Sequence, residues 1–172
     1  MPNWCCNNIE FTGEQKNVDN LSKLIDKTIE MQEKTGHGQL LFGLDGAIDG
    51  YMFEISNVDS DEGWIMFSFQ SKWSPIPNDM VRIAELFNLQ FTCDYEESGN
   101  GVFGKHTFEI IDGEGNLYDQ SATDEDIKAC TFKEDGDEDD EESGFDYEKM
   151  ESLIEKASME SYPITRINQT VS

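Results

Sequence analysis

Residues 67–103 constrain the fold of this chain more than any other stretch, because structural types alternate there with clear boundaries. A run typical of a strand ends at Pro75 and Pro77, which remove backbone donors and fix φ. Apolar residues then recur at helical spacing, and Pro77 suits the first turn of that helix. A second strand over 90–95 leads into the glycine turn 99–101, which permits positive φ.

Similar elements precede this stretch. Alternating apolar and polar residues over 8–12 predict a strand, and apolar residues at helical spacing over 16–33 predict an amphipathic helix. Two β-rich runs, 51–55 and 64–71, flank the polar, glycine-terminated loop 57–63 and predict a hairpin.

Alternation also predicts which side chains share a face of the sheet. In the strand 90–95, one side carries Phe91, Cys93 and Tyr95. The run 64–71 has apolar residues on both faces, which indicates a central strand with helices on one side and partial cover on the other. One of these faces carries Ile65, Phe67 and Phe69.

The order strand, helix, two strands, helix, strand is typical of a ferredoxin-like fold, an antiparallel sheet with two helices on one face. A hairpin over 102–118 would extend that sheet, so the predicted class is α+β. Residues 39–50 fit a short strand as well as an apolar lid. We expect a ferredoxin-like domain over 1–120, an acidic, loop-rich segment over 121–145, and a C-terminal amphipathic helix with a tail over 146–172.

The C-terminal part carries two weaker patterns. The acidic residues 124–126 can open a short helix or a strand toward residues 130–132. Apolar residues at helical spacing over 147–159 predict a helix that would pack on the open face of the sheet or on another protein. The tail over 161–172 is predicted to be extended or disordered.

The formal net charge of −25 is extreme for 172 residues. It disfavours direct nucleic-acid binding and binding to anionic membranes, because both depend on lysine and arginine. Basic proteins are the natural partners, including the nucleic-acid-binding surfaces of other proteins. The densest acidic run is therefore predicted to bind the partner, through Glu134, Asp135, Asp137, Glu138, Asp139, Asp140, Glu141 and Glu142.

The sequence shows neither a signal peptide nor a run of transmembrane length, which predicts a cytosolic protein with reduced thiols. The four cysteines lack the spacing of a zinc clamp, so buried or inert thiols are expected. The acidic run also fails the EF-hand pattern, because Asp140 takes the glycine position and Asp146 the glutamate position. We predict neither a metal nor a cofactor.

Five residues near strand ends and the glycine turn are candidates for a ligand or interaction surface, although each also has a structural interpretation. The tryptophans are expected to close the core, with each indole N–H bonded to a carbonyl. The adjacent glutamates are expected to be solvated, since acid/base catalysis needs two carboxyl groups in different environments. No nucleophile-histidine arrangement or phosphate loop is suggested, and we predict no enzymatic activity. The five candidates are Trp4, Asn7, Trp73, Glu96 and Glu97.

Three motifs together resemble the YubB-like proteins of phages, plasmids and other mobile elements, which have a ferredoxin-like domain. They are the start Met1-Pro2-Asn3-Trp4-Cys5-Cys6-Asn7 with Thr12-Gly13 after the strand, Trp73-Ser74-Pro75 before the second helix, and Tyr95-Glu96 followed by Gly99, Gly101, Phe103 and Gly104. The resemblance covers residues 1–118. It departs at Cys6, where a small polar residue is more usual, and at Ile76, where a second adjacent proline is expected. It implies the fold and a mobile-element origin, but no established activity.

Charge and resemblance together predict a non-catalytic phage or mobile-element protein in the cytoplasm of a bacterial host. Its acidic surface would bind a basic, nucleic-acid-binding host protein, as a nucleic-acid mimic that inhibits a host-defence nuclease such as a CRISPR effector. One alternative is a small-ligand or nucleotide-binding domain whose acidic segment is only a solubilising linker. Another, less favoured, is an enzyme that uses Glu96 or His106. The oligomeric state stays open.

Overall fold

The computed structural model describes residues 3–35, 48–133 and 143–166. These residues form nine strands and four helices. No described helix is both long enough and apolar enough to cross a membrane. In chain order they are β1 (Trp4–Thr12), α1 (Gln15–Thr35), β2 (Phe53–Asp61), β3 (Trp64–Lys72), α2 (Pro77–Phe87), β4 (Gln90–Glu97), β5 (Val102–Ile111), β6 (Glu114–Ser121), α3 (Asp124–Cys130), β7 (Thr131–Lys133), β8 (Ser143–Phe145), α4 (Tyr147–Lys156) and β9 (Glu160–Ser161).

Seven strands form one antiparallel sheet in the order β2-β3-β1-β4-β5-β6-β9. The first four of these strands, with α1 and α2, are the ferredoxin-like unit that the sequence predicts. The hairpin of β5 and β6 extends the sheet beside β4, which confirms the predicted α+β architecture. Strands β7 and β8 form a separate two-stranded sheet.

The core lies between the sheet and the two long helices. Strict alternation along β1 buries Ile9 and Phe11 and leaves Asn8 and Glu10 in solvent. Strand β3 buries Ile65, Phe67 and Phe69 in the same way, while Met66 on the other face is 38% exposed. Phenylalanine rings from four neighbouring strands connect across this core, at Phe11, Phe67, Phe91 and Phe108. We call this side the helix face and the other side the open face.

The N-terminal end of α2 is tied to the segment before β2. The buried carboxylate of Asp79 accepts hydrogen bonds from the backbone N–H groups of Ile48 (2.9 Å), Asp49 (2.8 Å) and Gly50 (3.2 Å). The carboxylate of Asp49 in turn accepts from the backbone N–H of Asn78 at 2.6 Å. These reciprocal bonds satisfy helix-end donors and hold residues 48–50 against the helix.

The loop predicted over 57–63 is wrong in extent, because β2 continues to Asp61 and the turn is only Glu62 and Gly63. The pairing of β2 with β3 is interrupted by register shifts, and Glu54 and Asn57 have positive φ. Bulges and polar side chains are typical of an edge strand. An edge strand whose side chains are mostly exposed shows no alternation of apolar and polar residues in its sequence. A short strand and an apolar lid were the two alternatives predicted for residues 39–50. The structure describes only residues 48–50 of this range.

The predicted C-terminal helix forms α4 and packs on the open face. Met150 and Ile154 of α4 contact a second apolar cluster that includes Phe103 and Cys130. The amide of Gln120 on β6 donates to the backbone carbonyls of Ile154 (3.2 Å) and Ala157 (2.8 Å). The acidic residues 124–126 open a helix, as one of the two predicted alternatives, with a capping box at its start.

The described part of the tail, residues 161–166, is extended and returns to the helix face. The backbone N–H of Tyr162 donates to the Leu117 carbonyl at 2.8 Å, and that of Thr165 donates to the Asn78 side chain at 2.7 Å. Tyr162 and Ile164 pack against the main core. The tail therefore closes one end of the helix face.

Candidate functional site

The eight acidic residues predicted to bind a partner all lie within 134–142, outside the described residues. Their role stays a prediction. Of the five other candidates, Trp73 lies just beyond the end of β3 and the other four are divided between the two faces of the sheet, so the structure does not bring them together as one surface. Trp4 and Glu96 lie on the open face, whereas Asn7 and Glu97 lie on the helix face.

The buried members of this set have structural contacts. Asn7 donates from its amide to the Cys5 carbonyl and to the Ser71 hydroxyl, both at 2.9 Å. Glu97 accepts from the backbone N–H groups of Gly99 (2.9 Å) and Asn100 (2.8 Å) and so closes the glycine turn. The expectation of two solvated glutamates is therefore wrong for Glu97, because the turn supplies donors that hold its carboxylate inside.

The expected core closure by tryptophan is also wrong. Trp4 is 40% exposed and Trp73 is 53% exposed. Trp4 starts β1 on the open face, where it packs edge-on against Phe53 at a ring distance of 5.2 Å. Trp73 follows β3 with φ of 69°. No described helix covers Trp4 on the open face, so its side chain remains partly exposed.

The cysteines are free, and three of them, Cys5, Cys93 and Cys130, are buried, as predicted. Burial raises the pKa of the Cys5 thiol to about 12. Cys6 is exposed, and partial burial with the nearby charge of Glu96 raises its pKa as well. These environments disfavour reactive thiolates. Among the described residues, no three or more metal-ligating side chains cluster.

An acidic groove runs between the open face and α4. Asp94 and Glu96 are two residues apart on β4 and thus share the open face, while Glu151 and Glu155 are one turn apart on α4. All four line a cavity of about 310 Å³. The basic residue among its described lining is Lys105, whose Nζ lies 3.4 Å from Asp94 Oδ1. The described lining of the groove therefore contains more carboxylates than basic side chains.

A buried polar cluster lies on the helix face of β4, β5 and β6. The hydroxyl of Tyr95 donates to Asp119 Oδ1 at 2.8 Å, and His106 Nε2 lies 3.4 Å from the same oxygen. Gly104, the partner of Tyr95 across the β4–β5 ladder, makes this possible. A Cβ on Gly104 would lie 2.2 Å from the tyrosine oxygen. Glycine therefore provides the space in which the phenol crosses β5 to reach β6.

Burial decides the protonation of this cluster. It lowers the pKa of His106 to about 4, against the opposing effect of the Asp119 carboxylate. Burial and Asp119 together raise the pKa of Tyr95 well above its usual range. At neutral pH the imidazole is thus uncharged and carries one N–H. Its Nε2 faces the carboxylate and takes the proton, which leaves Nδ1 as an acceptor, and this atom has no hydrogen-bond partner within the described part of the chain.

A cavity of about 520 Å³ adjoins the cluster. Asp49 and the prolyl segment before α2 line one wall, and Tyr162 of the tail lines another. The pairing of His106 with Asp119 was not predicted from the sequence. A signal was present, however: Asp112-Gly113 is a dipeptide typical of a two-residue hairpin turn, and both residues have the positive φ of such a turn. That turn pairs residue 111 with 114 and therefore His106 with Asp119.

The chain was compared with known proteins. Residues 52–148 match the family described as the ferredoxin-like domain in Api92-like protein. The chain belongs to this family. The match covers more than half of the chain, from β2 to the start of α4, and includes the whole Tyr95, His106 and Asp119 cluster. No significant match was found to a curated protein or to a solved structure.

Proposed function

We propose that this member of the family is a non-catalytic binding protein of phage or mobile-element origin, as its resemblance to YubB-like proteins implies. It acts in the cytoplasm of a bacterial host and binds a basic, nucleic-acid-binding host protein. The observation that carries the proposal is the groove between the open face and α4, whose described lining contains four carboxylates and one lysine that is already paired with Asp94.

The acidic character does not depend on residues 134–142 alone. The described residues include 28 acidic and 12 basic side chains, a formal net charge of −16. A surface with this excess attracts a basic partner over a distance and raises the association rate. It repels nucleic acid itself, so the partner is a protein that binds nucleic acid.

The geometry of the groove suits cationic side chains from such a partner. The carboxylates form two rows, one on β4 and one on α4, with an apolar floor from Phe103, Met150 and Ile154. Lysine and arginine combine a charged end with an apolar stem, so they match both parts of the groove. Two rows of negative charge can also occupy a cleft that evolved for a nucleic-acid backbone. We therefore propose inhibition of a host-defence nuclease, such as a CRISPR effector, by mimicry.

The test is binding to purified CRISPR effector nucleases, measured by biolayer interferometry together with inhibition of DNA cleavage. The E151K/E155K variant reverses two charges in the groove. The matched control, D26K/E33K, reverses two exposed charges on α1. We expect the groove variant to weaken binding by about tenfold or more, and the control by about twofold at most. Raising NaCl from about 50 to about 300 mM should weaken wild-type binding.

A deletion of residues 134–142 tests the acidic run separately. Weaker binding by the deletion variant would assign the run to the interface, and unchanged binding would leave it as a solubilising linker. Equal losses in the groove variant and the α1 control would mean that only net charge matters. Failure of the wild-type protein to bind any nuclease tested would remove the proposed target class.

A further inference from the structure

We propose that the cavity beside Tyr95, His106 and Asp119 binds a small primary ammonium group, supplied by a free amine or by a lysine side chain. This site lies on the helix face, on the other side of the sheet from the acidic groove, and it does not depend on the proposed nuclease partner.

The wall of the cavity depends on a specific arrangement of residues. Tyr95, His106 and Asp119 come from three adjacent strands, and their contacts require a glycine at position 104. The imidazole lies between two aromatic rings, with a ring distance of 4.7 Å to Tyr95 and 5.3 Å to Tyr162. Polar groups that replace apolar side chains at the end of a core need a reason, since an unsatisfied polar group there is destabilising.

His106 supplies the feature that points to a ligand. Its side chain is buried, at 2% exposure, and Nδ1 has no hydrogen-bond partner among the described residues. The carboxylate of Asp119 orients the imidazole so that Nδ1 is an acceptor. The group that satisfies a lone acceptor must carry an N–H or O–H donor.

Charge restricts the donor further. Asp49 and Asp119 both line the cavity, and their negative charges add to burial in raising the pKa of Tyr162. The Asp49 carboxylate is held in place by the backbone N–H and the side-chain amide of Asn78, at 2.6 and 3.1 Å. The described lining contains neither lysine nor arginine. Two carboxylates without a basic residue favour a cation and repel the phosphates of a nucleotide.

A primary ammonium group satisfies all of these requirements. It has three N–H donors, which suffice for His106 Nδ1 and the two carboxylates. The ring of Tyr162 offers an aromatic face for the cation. Tyr162 follows β9, which has only two residues, and its ring lies edge-on to His106. Because Nδ1 has less than 1 Å² of accessible surface, a ligand reaches it only when this short tail segment is displaced.

The experiment titrates the full-length protein with defined amines by calorimetry and follows the His106 imidazole by nitrogen-15 NMR. The probes are butylamine, 1,4-diaminobutane and Nα-acetyl-lysine methylamide. Butanol lacks the charge, tetramethylammonium lacks the N–H donors, and AMP carries a phosphate. We expect the primary amines to bind at least about tenfold more tightly than tetramethylammonium, with a shift of the Nδ1 resonance. Butanol and AMP should not bind.

Variants assign the site. D119N removes one carboxylate and should weaken amine binding by about tenfold. D26N makes the same change on the exposed surface of α1 and should leave it unchanged. Because D119N changes a buried contact, its melting temperature is measured too. H106F, which keeps a ring but removes the acceptor, provides a second variant in case D119N does not fold.

The outcomes separate the two sources and can overturn the inference. Tighter binding of 1,4-diaminobutane than of the capped lysine assigns the site to a free amine, and the reverse assigns it to a partner's lysine. If no primary amine binds, or if tetramethylammonium binds equally well, the proposal is wrong. The result does not depend on the nuclease assay, because no protein partner is present.

Discussion

The two faces of the sheet use the same strands but have opposite chemistry. On the helix face, alternate residues of the central strands join one apolar core, and the cluster of Tyr95, His106 and Asp119 lies at its end. On the open face, most of the side chains are polar or charged, and α4 covers part of the area. The difference shows that the covering helices, rather than strand propensity, decide which residues are buried. The predictions below test this difference between the two faces.

The largest expected effect comes from the core of the helix face. F67A removes a fully buried ring from β3 and should lower the free energy of unfolding by about 3–5 kcal/mol. M66A changes the adjacent residue on the open face, which is 38% exposed, and should lower it by less than about 1 kcal/mol. Urea denaturation measures both. Similar losses for the two variants would contradict the assignment of the faces.

The pH dependence of stability tests the polar cluster. The pKa of His106 is about 4 in the folded protein, below its usual value of 6.5, so the unfolded chain binds the proton more readily. The stabilisation is fully present above pH 6.5 and is lost as pH falls toward 4. Over this range the wild-type protein should lose about 3 kcal/mol more than H106Q.

Denaturation of both proteins at several pH values gives this difference. The carboxylates of Asp49 and Asp119, which line the same cavity, are present in both proteins. Both proteins therefore keep the same neighbouring carboxylates, and the comparison reports the change at residue 106. Parallel stability curves for wild type and H106Q would show that the imidazole is not kept neutral by burial.

Gly104 tests the close approach of Tyr95. G104A places a methyl group 2.2 Å from the phenol oxygen and 2.7 Å from the Gln120 carbonyl, so one strand must shift. We expect a loss of about 2 kcal/mol in the free energy of unfolding. K105A, at the next residue on the open face, breaks only the partly exposed contact with Asp94 and should cost about 0.5 kcal/mol. Stability of G104A equal to that of the wild-type protein would disprove the tight contact.

The smallest effect concerns the attachment of α4 to the open face. Q120A removes two hydrogen bonds to the end of this helix and should cost about 1 kcal/mol. Amide hydrogen exchange should accelerate in α4 while α1 keeps its protection. T92A, on the uncovered part of the open face, is the control, because Thr92 is exposed. Equal acceleration in α1 and α4 would indicate global unfolding rather than local opening.

Local patterns predicted the elements of the fold well where one side of an element is covered. Pro77 begins α2, the glycine turn precedes β5, and Phe91, Cys93 and Tyr95 share the buried side of β4. The hairpin of β2 and β3 was predicted correctly, but β2 was predicted to end too early, because bulges and exposure remove alternation there. It also failed at Trp4 and Trp73, because residue type indicates a preference for burial but not whether a helix covers the site.

Sequence by itself determined the α+β class, the order of the elements and the acidic excess, since periodicity, turn residues and charge are local or summed properties. The tertiary structure alone decided which side chains meet. It placed Asp119 beside Tyr95, 24 residues earlier, and aligned α4 with the carboxylates of β4. It also buried His106 and left its Nδ1 without a partner in residues 3–35, 48–133 and 143–166. The physical reason is that hydrogen-bonded pairing between strands and the packing of covering helices act across the chain, so no single segment encodes them.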